Sequence, residues 1–163
     1  MAKASFQHWL AFCVGKRADH HGRYIGDIWR YSHDQLEMRH DYIQWLFVTR
    51  NRATDHSEAP IWDEEVWQSI ENKAEIISSV NRSVLTMLRY WGIDYSDKHF
   101  HLSQRNYERQ KLWLSKHNHN QQRITRMLSA LVLIGEPKIA QELNRFLRIS
   151  ATRHGVQPDS VQY

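Results

Sequence analysis

The chain is 163 residues long, 41% hydrophobic and 25% charged, with six Gly, three Pro and one Cys. This is the length and composition of one ordinary globular domain, and it excludes collagen-like, linker-like and broadly disordered chains. The formal net charge is +4, unevenly placed: the first hundred residues carry 12 Lys and Arg against 14 Asp and Glu, the remainder 10 against 4.

A single cysteine, Cys13, permits no internal disulfide and no Cys-rich zinc site, and suits a reducing compartment. The longest nearly apolar run, Met127 to Gly135, is far short of the roughly 20 residues that span a bilayer. No apolar stretch with a small-residue cleavage site opens the chain, so a soluble cytoplasmic protein is expected.

Apolar spacing predicts a first helix from Ala4 to Lys16, with Phe6, Trp9, Leu10 and Cys13 on one side. Asp19-His20-His21-Gly22 reads as a turn, and Ile25, Ile28 and Trp29 as a short helical turn. Ser32 with Gln35 three residues on forms a capping box. It opens a helix to Phe47 or Val48, with Leu36, His40, Ile43 and Phe47 on one face. Arg50 to Pro60 is an exposed loop.

A long helical stretch is expected from Asp63 to Trp91, broken near Asn72 and stopped by Gly92 as its C′ residue. Ile93 to Leu102 reads as a loop, since no Asn-Gly or Asp-Gly hairpin signal occurs. Ser103 caps a helix to Lys116, and Asn118 or Asn120 caps the next, which Gly135 ends. Pro137 opens a last helix closed by Gly155. The expected fold is all-α, one compact domain of six or seven helices over residues 1–155, with residues 156–163 as a loose tail.

On the helix after Ser32, Glu37, His40, Asp41 and Gln44 fall at i, i+3, i+4 and i+7 and share one edge. Glu37 and His40 have the E-x-x-H spacing of di-iron bundles, but the chain has no second such pair. Lying between Leu36 and Ile43, His40 reads foremost as a buried imidazole hydrogen-bonded within the fold. His117 and His119 are too weakly spaced to specify a metal site. Arg123 and Arg126, near a helix start, suit a carboxylate or phosphate, or equally Glu37 and Asp41 across a packing seam.

Basic residues interleaved with Tyr107 and Trp113 admit nucleic-acid binding, but seven Trp are more economically helix-packing bulk. Phosphate-loop, zinc-protease and serine-hydrolase motifs are absent from the sequence.

At Leu36-Glu37, followed after two residues by His40-Asp41-Tyr42-Ile43-Gln44-Trp45-Leu46-Phe47, the sequence resembles the opioid growth factor receptor conserved domain family. Further blocks agree in order: Met87-Leu88 with Tyr90-Trp91-Gly92, Asn106-Tyr107 with Arg109, and His119-Asn120 with Arg123-Ile124-Thr125-Arg126-Met127-Leu128. Val48 stands where the family pattern has Pro, and Trp91 where it has Tyr. Animal members are described as receptors for an enkephalin peptide, linked to the nucleus and to restraint of growth.

The resemblance supplies no catalytic residues. The matched polar positions suggest a peptide, protein or small-ligand binding module in which two polar helix edges meet in a cleft. Its candidate contacts are Glu37, His40, Asp41, Gln44, Trp45, Asn106, Tyr107, Asn120, Arg123 and Arg126. An acidic or peptide ligand, or a protein partner, is expected, with no cofactor or metal. The alternatives are an enzyme using His40 with Glu37/Asp41 and Arg123/Arg126, and nucleic-acid binding by the basic final third.

Overall fold

Ser5 starts the first helix by accepting the His8 amide on its side chain at 3.1 Å, and α1 runs Phe6–Cys13. It stops short of Lys16 because Gly15 takes the left-handed conformation (φ +71°), letting Lys16 N reach back to Ala11 O at 2.9 Å. This computed structural model describes residues 4–51, 58–116 and 118–156. The chain divides into two compact units, Met1–Ser83 and Val84–Tyr163.

In the first unit α2 (Ile25–Trp29) and α3 (His33–Met38) follow. The capping box at α3 forms as expected: Gln35 N donates to Ser32 Oγ at 3.2 Å and Ser32 N to Gln35 Oε1 at 2.9 Å. The helix predicted to continue to Phe47 does not. It ends at Met38, Arg39 is extended, and α4 is only Ile43–Leu46.

Bonds from outside the helix meet the chain at this break. A continuing helix would give the Leu36 carbonyl to the His40 amide, but the Tyr42 hydroxyl takes that carbonyl at 2.8 Å. Arg23 meanwhile grips the side chain of Asp41 at 2.8 Å and its carbonyl at 3.4 Å.

Next come α5 (Glu64–Ser69), capped by Asp63, and α6 (Lys73–Tyr90), with the expected interruption between them at Ile70 to Asn72. Within the predicted loop Arg50 to Pro60, residues 52–57 lie outside the described residues, and Ala59 and Pro60 are buried. The core is aromatic: Trp9, Trp45, Trp62, Trp67, Phe6 and Phe12 are all buried. Phe6 stacks on Trp9 at 5.1 Å and meets Trp62 edge-on at 5.1 Å. Trp9 donates its indole N–H to the Trp45 carbonyl at 2.8 Å, which satisfies a buried donor and fixes α4 against α1.

In the second unit Gly92 (φ +69°) ends α6 as anticipated. The expected loop after it is instead an antiparallel hairpin, β1 (Ile93–Ser96) paired with β2 (His99–Leu102) in the register Ile93↔Leu102 to Ser96↔His99. Its two-residue turn is Asp97-Lys98, with φ of 51° and 64°, the sign pattern of a type I′ turn built without glycine. The fold is therefore mostly helical with a small sheet, not all-α. Among the described residues there are eight α-helices and one 3-10 helix, more than the six or seven expected.

That 3-10 helix, Tyr107–Leu112, stands in place of the helix predicted from Ser103 to Lys116. Side chains here bond to distant backbone rather than leaving the segment to a regular helix. Gln110 Nε2 reaches Ser103 O at 2.9 Å, and Arg109 Nε reaches Tyr90 O at 2.8 Å.

Asn118 caps α7 (His119–Leu133), and α8 (Pro137–Arg153) starts on its proline. α8 packs on α7 and touches β2, where Phe100 and Phe146 lie 6.1 Å apart. Val156 is buried, and residues 157–163 of the predicted tail lie outside the described residues. Among the described residues no helix is long and apolar enough to cross a membrane.

Candidate functional site

The most organised polar cluster lies in the first unit, on the loop between α1 and α2 and on the break before α4. Asp19 N donates to Arg23 O at 2.8 Å, closing a tight turn. Gly22, the residue that must adopt positive φ (+77°), completes it. The Asp19 side chain is fully buried in this turn. Its Oδ1 accepts the amides of His21 (2.9 Å) and Arg23 (3.0 Å), and its Oδ2 accepts Arg23 Nε (2.7 Å) and Nη2 (2.6 Å).

Arg23 extends the cluster outward through Nη1 to Asp41 Oδ1 at 2.8 Å. The other Asp41 oxygen meets His21 Nε2 at 2.7 Å. Asp19, Arg23, Asp41 and His21 thus form a continuous chain from buried to exposed, with Asp41 28% and His21 46% exposed at its outer end.

Burial is the largest single influence on both Arg23 and Asp41 and works against their charge, but their hydrogen bonds and the attraction of neighbouring opposite charges together outweigh it. The guanidinium is held above its ordinary value with help from Asp19, and the carboxyl below its own.

Beside this chain, His20 lies against Trp45. Trp45 Nε1 donates to His20 Nδ1 at 2.7 Å, and the rings stack at 5.7 Å. An indole nitrogen only donates, so Nδ1 is unprotonated and neutral His20 carries its proton on Nε2. That atom faces Glu58 Oε1 at 3.4 Å. Burial foremost, and the neighbouring His21, lower the His20 pKa.

Acid sensitivity follows from these shifts. A lowered histidine pKa means that the unfolded chain takes up its proton first, so stability falls as pH drops from about 6.5 toward the folded value. A lowered carboxyl adds stability above its unfolded pKa, about 3.9, that is lost as pH falls through the folded value. Denaturant melts across pH should show two descending stages, and Asp41→Asn should weaken the lower one; a flat profile from pH 7 to 3 would contradict this.

The sequence-predicted residues are distributed as follows. Asp41 sits at the centre of the cluster. Glu37 is half-buried on α3, and His40 is exposed in the break, so the buried-imidazole reading of His40 is corrected. With α3 and α4 separated, Glu37, His40, Asp41 and Gln44 do not share one helical edge. Gln44 and Trp45 are buried on α4. The imidazole on Asp41 Oδ2 is that of His21, which the sequence pattern did not single out.

In the second unit Asn120 is fully buried, its Oδ1 accepting Trp91 Nε1 at 3.0 Å and Arg123 Nη1 at 3.2 Å. Trp113 Nε1 donates to Trp91 O at 3.0 Å, extending the same network. Arg123 is buried; Arg126 is half-buried, and burial pushes its guanidinium down to about 10, so that it keeps its charge at neutral pH. Asn106 stands at the start of the 3-10 helix, where its backbone carbonyl rather than its side chain accepts the Arg109 amide at 3.0 Å, and Tyr107 is 64% exposed with its hydroxyl on Glu108.

Asp19, His20, His21 and Arg23 escaped sequence reasoning, which read 19–22 only as a turn. The available signal was an Asp–Arg pair four apart enclosing a glycine, the pattern of a carboxylate that caps its own turn. Among the described residues, no group of three or more His, Cys, Asp and Glu is arranged to hold a metal ion.

Residues 9–162 match the family model of the opioid growth factor receptor conserved region. The chain is 33% identical over 130 residues to the human (Homo sapiens) opioid growth factor receptor, covering 77% of this chain and 19% of that protein. To the mouse (Mus musculus) receptor it is 32% identical over 120 residues, 72% of this chain and 19% of the relative. To mouse opioid growth factor receptor-like protein 1 it is 27% identical over 145 residues, 86% of this chain and 31% of the relative. The chain thus spans about a fifth to a third of the relatives' length. No solved structure matches.

Proposed function

The chain belongs to the opioid growth factor receptor conserved-region family, and from that premise we propose that it is a binding module for a peptide, protein or small ligand. The observation that carries this reading is Asp41, a partly exposed carboxylate fixed through one oxygen by a buried arginine and through the other by His21. Such a group needs little ordering when a partner arrives, which is what a recognition surface requires.

In the first unit, Asp41 and His21, with Glu37 and His40 beside them in sequence, would meet donor groups of the ligand, while Gln44 and Trp45 support α4 from within. In the second unit, Arg126 and Tyr107 would meet an acidic or aromatic group, with Asn106, Asn120 and Arg123 holding their segments. Relatives named receptors support a ligand or protein partner. We place the protein in a reducing compartment such as the cytoplasm, because a chain with one cysteine relies on no internal disulfide.

The test is a thermal-shift screen of short peptides and metabolites at pH 7.5, with calorimetry on the hits. A ligand should raise the Tm of the wild type and bind Asp41→Asn at least about tenfold more weakly, the loss expected for one charged hydrogen bond. A library without hits, or equal affinity for both proteins, would contradict the reading.

A further inference from the structure

We infer that His20 is a proton-operated latch: neutral, it holds Trp45 through Nδ1, and protonated it exchanges that bond for Glu58 through Nε2, loosening the loop that carries His21 and Arg23 to Asp41. The two bonding arrangements are built into one ring. Trp45 Nε1 sits 2.7 Å from Nδ1, and Glu58 Oε1 sits 3.4 Å from Nε2. A proton on Nδ1 puts two donors face to face and ends the first bond. The positive ring then attracts the Glu58 carboxylate on its other side.

The surroundings decide when this happens. From its own loop His20 faces Asp19, His21 at 4.0 Å between ring centroids, and Arg23. From α4 it faces Trp45, and from the stretch before α5 Glu58. α1 contributes His8, whose ring meets Trp45 edge-on at 4.8 Å and whose Nε2 is on Ala18 O at 2.7 Å. Asp19 and Glu58 favour the proton, while His21, Arg23 and burial oppose it, and the opposition is the larger.

The consequence concerns the surface proposed above. His20 and His21 are consecutive, so a ring that swings toward Glu58 pulls on the turn that presents His21 to Asp41. Binding at that surface is thereby strongest with His20 neutral. This regulation rests on the binding reading; the latch itself does not.

The experiment is a pH titration from 7.5 to 5.0 of the ¹⁵N-labelled full chain, following indole N–H resonances, with Trp45 assigned from Trp45→Phe. The expected result is a Trp45 transition with midpoint below about 6.5, the unperturbed histidine value, while Trp91 and Trp113 hold still. Glu58→Gln should lower the midpoint and His21→Asn should raise it. Amide protection at His21 and Arg23 should fall with the same transition.

A Trp45 resonance that does not titrate, a midpoint at or above 6.5, or simultaneous loss of all indole signals would overturn the latch. So would midpoints unmoved by both variants. A flat Trp45 beside ligand binding at pH 7.5 sinks the latch alone. A titrating Trp45 with no ligand found sinks the binding reading alone.

Discussion

Arg23→Ala is expected to cost about 3–5 kcal/mol of folding stability, because it leaves a fully buried carboxylate without its cation. Asp19 accepts two backbone amides that remain, but its Oδ2 loses both guanidinium bonds, at 2.7 and 2.6 Å. Asp41 loses its partner as well, yet it is 28% exposed and water can replace the lost bond. The larger share of the loss therefore belongs to Asp19.

A double-mutant cycle separates the two. Asp19→Asn should recover part of the loss when added to Arg23→Ala, since a neutral amide is less costly to bury than an unpaired charge. Urea melts at pH 7.5 read this directly. Strict additivity of the single changes, or a loss below about 1 kcal/mol, would show that the buried pair contributes only as a surface pair does.

The second large effect lies in the other unit. Gly92→Ala is expected to destabilise by at least about 3 kcal/mol, for two reasons that add. At φ +69° an L side chain is strained by roughly 1–2 kcal/mol. The new Cβ would also lie 2.5 Å from the Asn106 carbonyl oxygen, a backbone atom that cannot rotate away. That carbonyl accepts the Arg109 amide at 3.0 Å, so any retreat disturbs the 3-10 helix as well. Thermal melts check this, with Gly135→Ala as control: it too sits at positive φ (+94°), but its Cβ would meet nothing within 4 Å. Equal losses at the two positions would show that the Asn106 carbonyl adds nothing to the backbone strain.

Much of the helical punctuation was legible because it is local. Ser32 with Gln35, Gly92, Asn118, Gly135 and Pro137 each act on neighbours within one turn, and each does what its chemistry implies. The break between Met38 and Ile43 was not legible. The spacing of Leu36, His40, Ile43 and Phe47 is a helical pattern, and the Tyr42 hydroxyl and the distant Arg23 hold the chain where the backbone departs from it. The hairpin escaped for another reason: Asp97-Lys98 makes the turn without the glycine that marks such turns in a sequence.

The same division holds for the site. Asp41 stood out because it lies within the matched block. Its partners His21 and Arg23 lie 20 and 18 residues earlier, in a segment whose local signal, Asp19 and Arg23 four apart around Gly22, marks a turn and says nothing of the distant Asp41. Of the candidate positions, Gln44, Trp45, Asn120 and Arg123 are buried, and what the sequence marked at the last three is bonding inside each unit. A pattern of polar letters does not distinguish a group that faces solvent from one that ties the interior together.

The most direct measurement is backbone chemical-shift mapping of the labelled chain with the tightest-binding peptide or metabolite from the screen, at pH 7.5. The largest changes in the first unit are expected on His21, His40, Asp41 and their immediate neighbours, and Asp41→Asn should require at least about tenfold more ligand to produce them. Changes confined to residues remote from Asp41, or the same ligand requirement with that substitution, would contradict this.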